Sequence, residues 1–258
     1  MLRFLKDLVR IFIYWSSKAF ASLSKKNHST LTNLNGGGIV LSFDDLHISD
    51  WVGADNYLKP FSWKATFFIS NLEALDSTGF DQLKQLQQYG HEIGAHGYKH
   101  LDAVEYLNTA STGDYLNEEI DPFLREMKTH GLHINSFAYP FGTRNDATDQ
   151  VLLKQFSILR GTTHGMRPPS VHVNYANGSR VVYGLGLDVS SEIDIHYILK
   201  VLNYARQKNK IVFFYGHTIK RNAAATYTTS FDCLETICRY VVDNKMTFLT
   251  FRELLLKP

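Results

Sequence analysis

Two adjacent aspartates and two histidines four positions apart are the residues of this chain best suited to chemistry. Asp44 and Asp45 directly follow a short apolar run, and His96 and His100 follow a later one. One carboxylate with two neutral imidazoles is a ligand set for a divalent metal, and it leaves coordination positions open for water and substrate. The second carboxylate remains available as a base. Together the four residues predict metal-assisted hydrolysis.

The ligand types narrow the choice of metal without deciding it. Nitrogen and oxygen donors without a thiolate favour Zn2+, and they also suit Co2+, Ni2+, Mn2+ or Fe2+. We expect the two histidines to share one side of a helical turn, where positions four apart lie close together. Each pair also has an ordinary explanation, because adjacent aspartates favour turns and helix N-caps and the chain contains 11 histidines. Only the combination of the two pairs supports a metal site.

Two further groups are candidates for catalysis. His217 follows the most apolar run of the chain, Ile211–Tyr215, where a histidine can serve as a general acid. A histidine satisfied within the core is the alternative. The stretch ending in Pro140, Phe141 and Gly142 resembles a strand followed by a turn, and the backbone N–H after the proline could face a developing oxyanion. Pro and Gly occur in any turn, so this last signal does not define a site alone.

The elements that must position these residues alternate regularly along the chain. The apolar runs are Ile39–Phe43, Ala65–Ile69, Glu92–Ala95, Ser136–Tyr139, Phe156–Leu159, Val181–Tyr183, Ile211–Tyr215 and Met246–Thr250. The helix-like stretches between them are Phe80–Tyr89, Tyr115–Thr129, Ala147–Gln155, Ile193–Lys208 and Phe231–Asn244. This alternation predicts an α/β fold of parallel strand–helix units, and about seven or eight strands favour a (β/α) barrel over an open sheet. The carboxyl ends of parallel strands share one face, so we expect the candidate residues to converge there.

Composition excludes some partners and divides the chain in two. The net charge of +2, without a basic stripe, gives no reason to expect a nucleic-acid partner. We assign residues 38–258 to the catalytic domain and residues 1–37 to a separate leading segment and linker. Residues 1–26 combine basic residues with an apolar run too short to span a bilayer. A signal-like segment, a helix lying on a membrane surface and a helix packed on the domain all fit this pattern, and the first two favour the cell envelope or a membrane over the cytoplasm.

Taken together and in this order, the motifs resemble those of the polysaccharide deacetylases, the NodB-homology group also called carbohydrate esterase family four. Residues Ser42–Leu46 are similar to the family motif T-F-D-D-G, His96–His100 to H-[ST]-x-x-[HS], and Tyr215–His217 to L-x-H. The resemblance extends from about Gly38 to Leu255. It implies a distorted, NodB-like (β/α) barrel with seven or eight parallel strands, and a metal-dependent N- or O-deacetylase that acts on an acetylated glycan.

The resemblance also implies a role for each candidate residue. The metal ligands would be Asp45, His96 and His100. Asp44 would be the general base that takes a proton from water, His217 the general acid, and the main-chain N–H of Phe141 a donor to the oxyanion. Asp188 is the candidate for the family aspartate that tunes the acid histidine, although no tryptophan follows it.

The chain departs from the family pattern at several positions. Leu46 replaces a glycine, Gly97 replaces a serine or threonine, and Ala138 occupies the position of the arginine that holds the catalytic base. Either another group holds the base here or the base is less well placed, and the candidates by position are Arg144, Arg160 and Arg180.

Two other functions remain open at this level. The missing arginine and tryptophan motivate a relative that binds a glycan without turning it over. A small-amide hydrolase or an O-acetyl esterase would keep the same metal chemistry, because substrate choice depends on the loops. The stretches expected to shape the cleft are Leu46–Lys64, Leu101–Asp114 and Gly161–Ser179.

Overall fold

The structure is a computed structural model that describes residue 34 and residues 36–174, 178–221 and 225–255. The basic and apolar segment predicted for residues 1–26 lies outside these residues, as does most of the predicted linker. Among the helices of the described ranges, none combines the length and the apolar character that crossing a membrane requires.

Strands and helices alternate along most of the described chain. The strands are β1 (Gly38–Asp45), β2 (Ala65–Ile69), β3 (Glu92–Ala95), β4 (Ser136–Ala138), β5 (Ile158–Thr163), β6 (Val173–Asn174), β7 (Val181–Gly186), β8 (Ile211–Gly216), β9 (Thr218–Lys220), β10 (Thr228–Ser230) and β11 (Thr247–Leu249). The α-helices are α1 (Ile48–Leu58), α2 (Ser77–Gln88), α3 (Ala103–Tyr106), α4 (Thr112–Tyr115), α5 (Asp121–Thr129), α6 (Asp146–Leu152), α7 (Ile195–Gln207) and α8 (Phe231–Asp243).

Seven parallel strands close into a barrel. Their order is β1-β2-β3-β4-β5-β7-β8. The last strand, β8, pairs with the first, β1, from Gly38 opposite Ile211 to Phe43 opposite Gly216. Strand β11 adds a short parallel pairing at the beginning of β1, and β6 pairs antiparallel with β8. The predicted distorted (β/α) barrel is therefore confirmed, and each predicted apolar run overlaps a strand.

The barrel strands read as continuous apolar runs because both of their faces are buried. On β1, Ile39, Leu41 and Phe43 pack in the cluster that joins the strands to the surrounding helices. Val40 belongs to a second cluster, built from β1, β2, β4, β5, β7, β8, β11 and Phe251, which fills the inside of the barrel. Successive side chains along a barrel strand therefore pack alternately against the surrounding helices and in the inside of the barrel.

A helix of three turns lies in a stretch to which the sequence analysis assigned only a role in shaping the cleft. Helix α1 occupies most of the stretch 46–64, and its buried residues include Ile48, Trp51, Asp55 and Leu58, which recur with a helical period. Its apolar stripe is interrupted by the buried carboxylate of Asp55, so the periodicity is weak in the sequence. Asp55 is accommodated because it accepts a hydrogen bond from the Trp63 indole and contacts the His91 ring at 2.9 Å.

Candidate metal centre and catalytic residues

The carboxyl ends of the barrel strands carry the candidate residues. Asp44 and Asp45 end β1, His96 follows β3, and His217 follows β8. These residues come from distant parts of the chain, yet a parallel barrel places the corresponding end of every strand on one face. The structure brings them together around a single point on that face.

Three side chains form a cluster that could hold a metal ion: Asp45, His96 and His100. The two imidazole Nε2 atoms are 3.2 Å apart. Oδ1 of Asp45 lies 3.7 Å from Nε2 of His96 and 3.4 Å from Nε2 of His100. For a tetrahedral ion with ligand distances of about 2.0–2.1 Å, neighbouring ligand atoms would be about 3.3 Å apart. The spacing of the three donor atoms therefore fits a cation between them.

The protonation of His96 fits a metal ligand as well. Its Nδ1 is 2.8 Å from the carbonyl oxygen of Ala138, which can only accept, so Nδ1 carries the hydrogen. Burial, and then the neighbouring His100, hold the pKa of His96 well below its usual range. Burial also lowers the pKa of His100. A neutral His96 presents a bare Nε2 lone pair toward another imidazole nitrogen, an arrangement that a shared cation stabilises.

The segment that carries both histidines is a loop, so the expected helical turn is wrong. Gly97 has φ +89° and His100 has φ +64°, and both values are incompatible with a right-handed helix. The left-handed conformation of His100 turns its ring back toward His96, with ring centroids 4.8 Å apart. Proximity in the sequence does bring the two rings together, but through a tight loop.

Asp44 is held by an arginine inside the barrel. It is only 2% exposed, and its Oδ2 accepts a hydrogen bond from Nη2 of Arg160 on β5. The Arg160 guanidinium also lies over the rings of Phe68 and Tyr215, at 5.5 and 4.9 Å from their centroids. Oδ1 of Asp44 is buried and has no hydrogen-bond partner among the described residues. The carboxylate therefore keeps one free acceptor oxygen, Oδ1, while its other oxygen, Oδ2, lies 3.9 Å from Nε2 of His96.

Of the three arginines proposed to replace the one missing at position 138, Arg160 contacts Asp44. The register of β4 with β5 pairs Ala138 directly with Arg160. Arg144 instead pairs with Asp149, and Arg180 donates to backbone carbonyls. The guanidinium thus comes from the adjacent strand, at the position directly beside the alanine.

His217 is oriented by a buried carboxylate. Its Nδ1 lies 2.5 Å from Oδ2 of Asp188, and Oδ1 of Asp188 accepts from the His217 N–H at 3.2 Å and from Thr229 Oγ1 at 2.7 Å. The Trp51 indole donates to the His217 carbonyl at 2.8 Å. With Nδ1 fixed on Asp188, Nε2 faces the cluster, 4.0 Å from Oδ2 of Asp45. The sequence suggested Asp188 as this partner, but neither Thr229 nor Trp51.

The surroundings of His217 favour its charged form. Burial acts to lower the pKa of His217, but the hydrogen bond to Asp188 and the nearby carboxylates Asp44 and Asp45 outweigh it and raise the pKa above the ordinary value of 6.5. The ring therefore keeps its second proton to higher pH than a free imidazole does.

Replacing Asp188 with Asn should lower the pKa of His217, because a neutral amide does not stabilise an imidazolium. The protonated fraction at neutral pH should fall accordingly. A pH titration of the His217 ring by NMR measures this change. The control is Asp194→Asn, which alters a remote helix-capping carboxylate. An unchanged midpoint in Asp188→Asn would show that the carboxylate does not control this proton.

Two exposed aromatic rings border the cluster. Phe141 is 57% exposed, and its ring centroid is 4.7 Å from that of His100. Tyr227 is 62% exposed, with its ring 5.1 Å from that of His217. Phe141 has φ +59° in the turn after β4. Its backbone N–H as an oxyanion donor stays a prediction, while both rings are placed to contact a bound ligand.

A cleft of about 390 Å³ opens where α1 and α2 begin, next to the end of β1. Its polar lining includes His47, Ser49, Asp50, Thr78 and Gln82. The first residues of α1, within the stretch 46–64, line this cleft, while none of the candidate metal ligands or catalytic residues does. Side chains of this kind can form hydrogen bonds with a hydroxyl-rich ligand.

Comparison with known proteins agrees with the motifs. Residues 32–155 match the family model of the polysaccharide deacetylases. The resemblance inferred from the motifs is therefore confirmed. Comparison with curated proteins gives no match.

Several solved structures share the fold. The chitin deacetylase from the fungal pathogen Colletotrichum lindemuthianum is 15% identical with a TM-score of 0.58, covering 89% of this chain and 92% of that one. The peptidoglycan deacetylase PdaC from Bacillus subtilis is 19% identical with a TM-score of 0.53, covering 86% and 92%. A CE4 family pseudoenzyme from Bacillus anthracis is 15% identical with a TM-score of 0.54, covering 87% and 67%. At these identities the similarity establishes the barrel architecture.

Proposed function

We propose that this chain, whose residues 32–155 match the family model of the polysaccharide deacetylases, removes acetyl groups from an N-acetylated or O-acetylated glycan. The observation that supports this most is the convergence of three kinds of group on one face of the barrel. They are a carboxylate and two imidazoles spaced for one cation, a second carboxylate with a free oxygen, and a histidine whose pKa is raised. Metal-assisted hydrolysis of an acyl group uses each of them.

Asp45, His96 and His100 would hold a divalent metal, of which Zn2+ is the first choice and Co2+, Ni2+, Mn2+ or Fe2+ are alternatives. When bound, such an ion polarises an acetyl carbonyl and lowers the pKa of water. Asp44 accepts the proton of the attacking water, and Arg160 fixes the orientation of its carboxylate. The attacking oxygen forms a bond to the acetyl carbon and yields a tetrahedral oxyanion.

His217 supplies the proton that the departing group needs. In the charged form its Nδ1–H donates to Asp188 and its Nε2–H faces the reacting centre. Transfer of that proton to the nitrogen or oxygen of the sugar breaks its bond to the acetyl carbon and releases acetate. We assign a share of the oxyanion stabilisation to the backbone N–H of Phe141, as the family resemblance implies.

The test of this function is acetate release from acetylated chitooligosaccharides, peptidoglycan and O-acetylated glycans. Release should fall to background after a chelator and return when Zn2+ or Co2+ is added, because the proposed reaction needs the ion to polarise the acetyl carbonyl and to lower the pKa of water. His100→Ala should lose both activity and metal, and elemental analysis measures the latter. Release that persists in metal-free protein would contradict the proposed mechanism.

A glycan-binding protein without turnover is the second candidate, and a CE4 family pseudoenzyme from Bacillus anthracis shares the fold. Here both aspartates, both histidines and His217 are present and mutually oriented, which supports an enzyme. Binding of chitooligosaccharides without acetate release would favour the second candidate. Release restricted to small amides or to O-acetyl esters would change the substrate class and keep the metal chemistry.

We also propose a location at the cell envelope or a membrane, on the pattern of residues 1–26. Cell fractionation of the full chain, compared with a chain beginning at residue 27, tests this proposal. Recovery of both forms in the same soluble fraction would contradict it.

A further inference from the structure

We propose that Glu119 is a positioning residue for the metal ligand His100. Its carboxylate holds the backbone of the ligand loop, residues 96–101, in the conformation that directs Nε2 of His100 at the cluster. This inference rests on the metal site of the proposed function, and its test measures metal binding instead of turnover.

Glu119 binds the ligand loop through both ends of the residue. Its Oε2 accepts from the Lys99 N–H at 2.8 Å, its Oε1 from the Leu101 N–H at 2.7 Å, and its carbonyl oxygen from the Tyr98 N–H at 3.0 Å. Backbone amides of three residues of the loop, Tyr98, Lys99 and Leu101, therefore converge on one glutamate.

The loop needs such a partner because its conformation is unfavourable for its sequence. His100 has φ +64°, a left-handed value that a residue with a Cβ rarely adopts without support from its surroundings. The amides on either side of His100 point toward Glu119, so the carboxylate stabilises this local backbone directly. Hydrogen bonds from backbone N–H groups to a charged carboxylate are stronger than those between neutral groups.

Gly97 provides the space that the carboxylate occupies. A Cβ at position 97 would lie 2.1 Å from Oε1 of Glu119, and φ there is +89°. The serine or threonine of the family motif would thus collide with the carboxylate in this conformation. The glycine at 97 and the glutamate at 119 form a matched pair.

Glu119 lies in the π-helical turn Leu116–Ile120 between α4 and α5. A π-turn widens the helix locally and often marks a functional position. The side chain is fully buried, and the loop amides are its hydrogen-bond donors. Its neighbour Glu118 is on the solvent side, where it contacts the Lys99 ammonium and the Tyr106 hydroxyl. The two glutamates provide a matched comparison, because both carry the same side chain but only Glu119 accepts hydrogen bonds from the backbone of the ligand loop.

The experiment compares Glu119→Gln with Glu118→Gln in the full chain. Zn2+ affinity is measured by competition with a chromophoric chelator, and the coordination geometry by the visible absorption of the Co2+-loaded protein. Glu119→Gln should weaken Zn2+ binding by about 10- to 100-fold and alter the Co2+ spectrum, as loss of an outer-shell partner does. Glu118→Gln should match the wild type in both.

Metal-free far-UV CD and melting curves establish whether each variant folds. If Glu119→Gln does not fold, Glu119→Asp decides, because the shorter side chain withdraws the carboxylate from the loop amides while keeping its charge, and the same weakening is expected. Unchanged affinity and spectrum in the folded variant would overturn the inference and leave the metal site standing. Absence of Zn2+ binding in the wild type would overturn both the inference and the metal site of the proposed function.

Discussion

Replacing Asp44 with Asn should lower acetate release by about 10²- to 10⁴-fold, the range found when a general base is removed. The amide keeps the shape of the side chain but cannot take a proton from water. Metal content should stay near that of the wild type, because the cluster is formed by other residues. Initial rates at saturating glycan, together with elemental analysis of the purified variant, measure both quantities.

The control for this variant is Asp50→Asn. Asp50 is also a carboxylate on the catalytic face, but it lines the neighbouring cleft and bonds to Thr218. Its replacement should leave the chemical step within a few-fold of the wild type. Full activity of Asp44→Asn on every substrate that the wild type deacetylates would remove Asp44 from the mechanism.

Replacing Arg160 with Ala should harm both stability and turnover. The change leaves the Asp44 carboxylate buried without its charge partner, which costs about 3–5 kcal/mol of the free energy of unfolding. It also frees the carboxylate to rotate away from the attacking water, so turnover should fall well beyond what partial unfolding explains. Urea unfolding and initial rates on folded protein separate the two effects.

Arg144→Ala provides the matched comparison. Arg144 is also buried and pairs with Asp149, but it does not contact the catalytic cluster. Its loss should lower the free energy of unfolding similarly and spare turnover of the folded fraction. Equal losses of turnover in the two variants would mean that Arg160 acts only on stability.

A double variant tests the position of the guanidinium directly. Ala138→Arg combined with Arg160→Ala moves the charge to the neighbouring strand, at the position paired with it in the register. We expect turnover and stability to lie nearer to the wild type than in Arg160→Ala alone. A double variant no better than the single one would show that the strand of origin matters.

The sequence predicted the barrel because its strands carry a strong local signal. Strands such as β2, buried on both faces, are nearly continuous apolar runs whose limits can be read directly. Helix α1 was missed because the buried Asp55 interrupts the apolar stripe on its buried face. The burial of this carboxylate is explained only by its contacts with Trp63 and His91, which the sequence does not reveal. Local pattern thus predicts an element when its burial is apolar.

In the candidate site too, some residues could be identified from the sequence and others could not. Asp44, Asp45, His96 and His217 were found because their types are chemically distinctive and they end strands. His100 was found by its spacing, although the expected helical turn is a loop.

The supporting residues could not be chosen from the sequence. Selecting Arg160 among three arginines requires the register of β4 with β5. Glu119, Thr229 and Trp51 act through contacts distant along the chain and belong to types that occur everywhere.

The side-by-side pairing of Ala138 and Arg160 has a consequence for recognising relatives of this protein. Neighbouring strands offer equivalent starting points for a long side chain, so a charge can migrate laterally while its head group still reaches the same carboxylate. A sequence motif that requires the arginine on one particular strand would classify such a protein as lacking a catalytic residue. A structural motif that also accepts an arginine at the paired position of the neighbouring strand would recognise the site as intact.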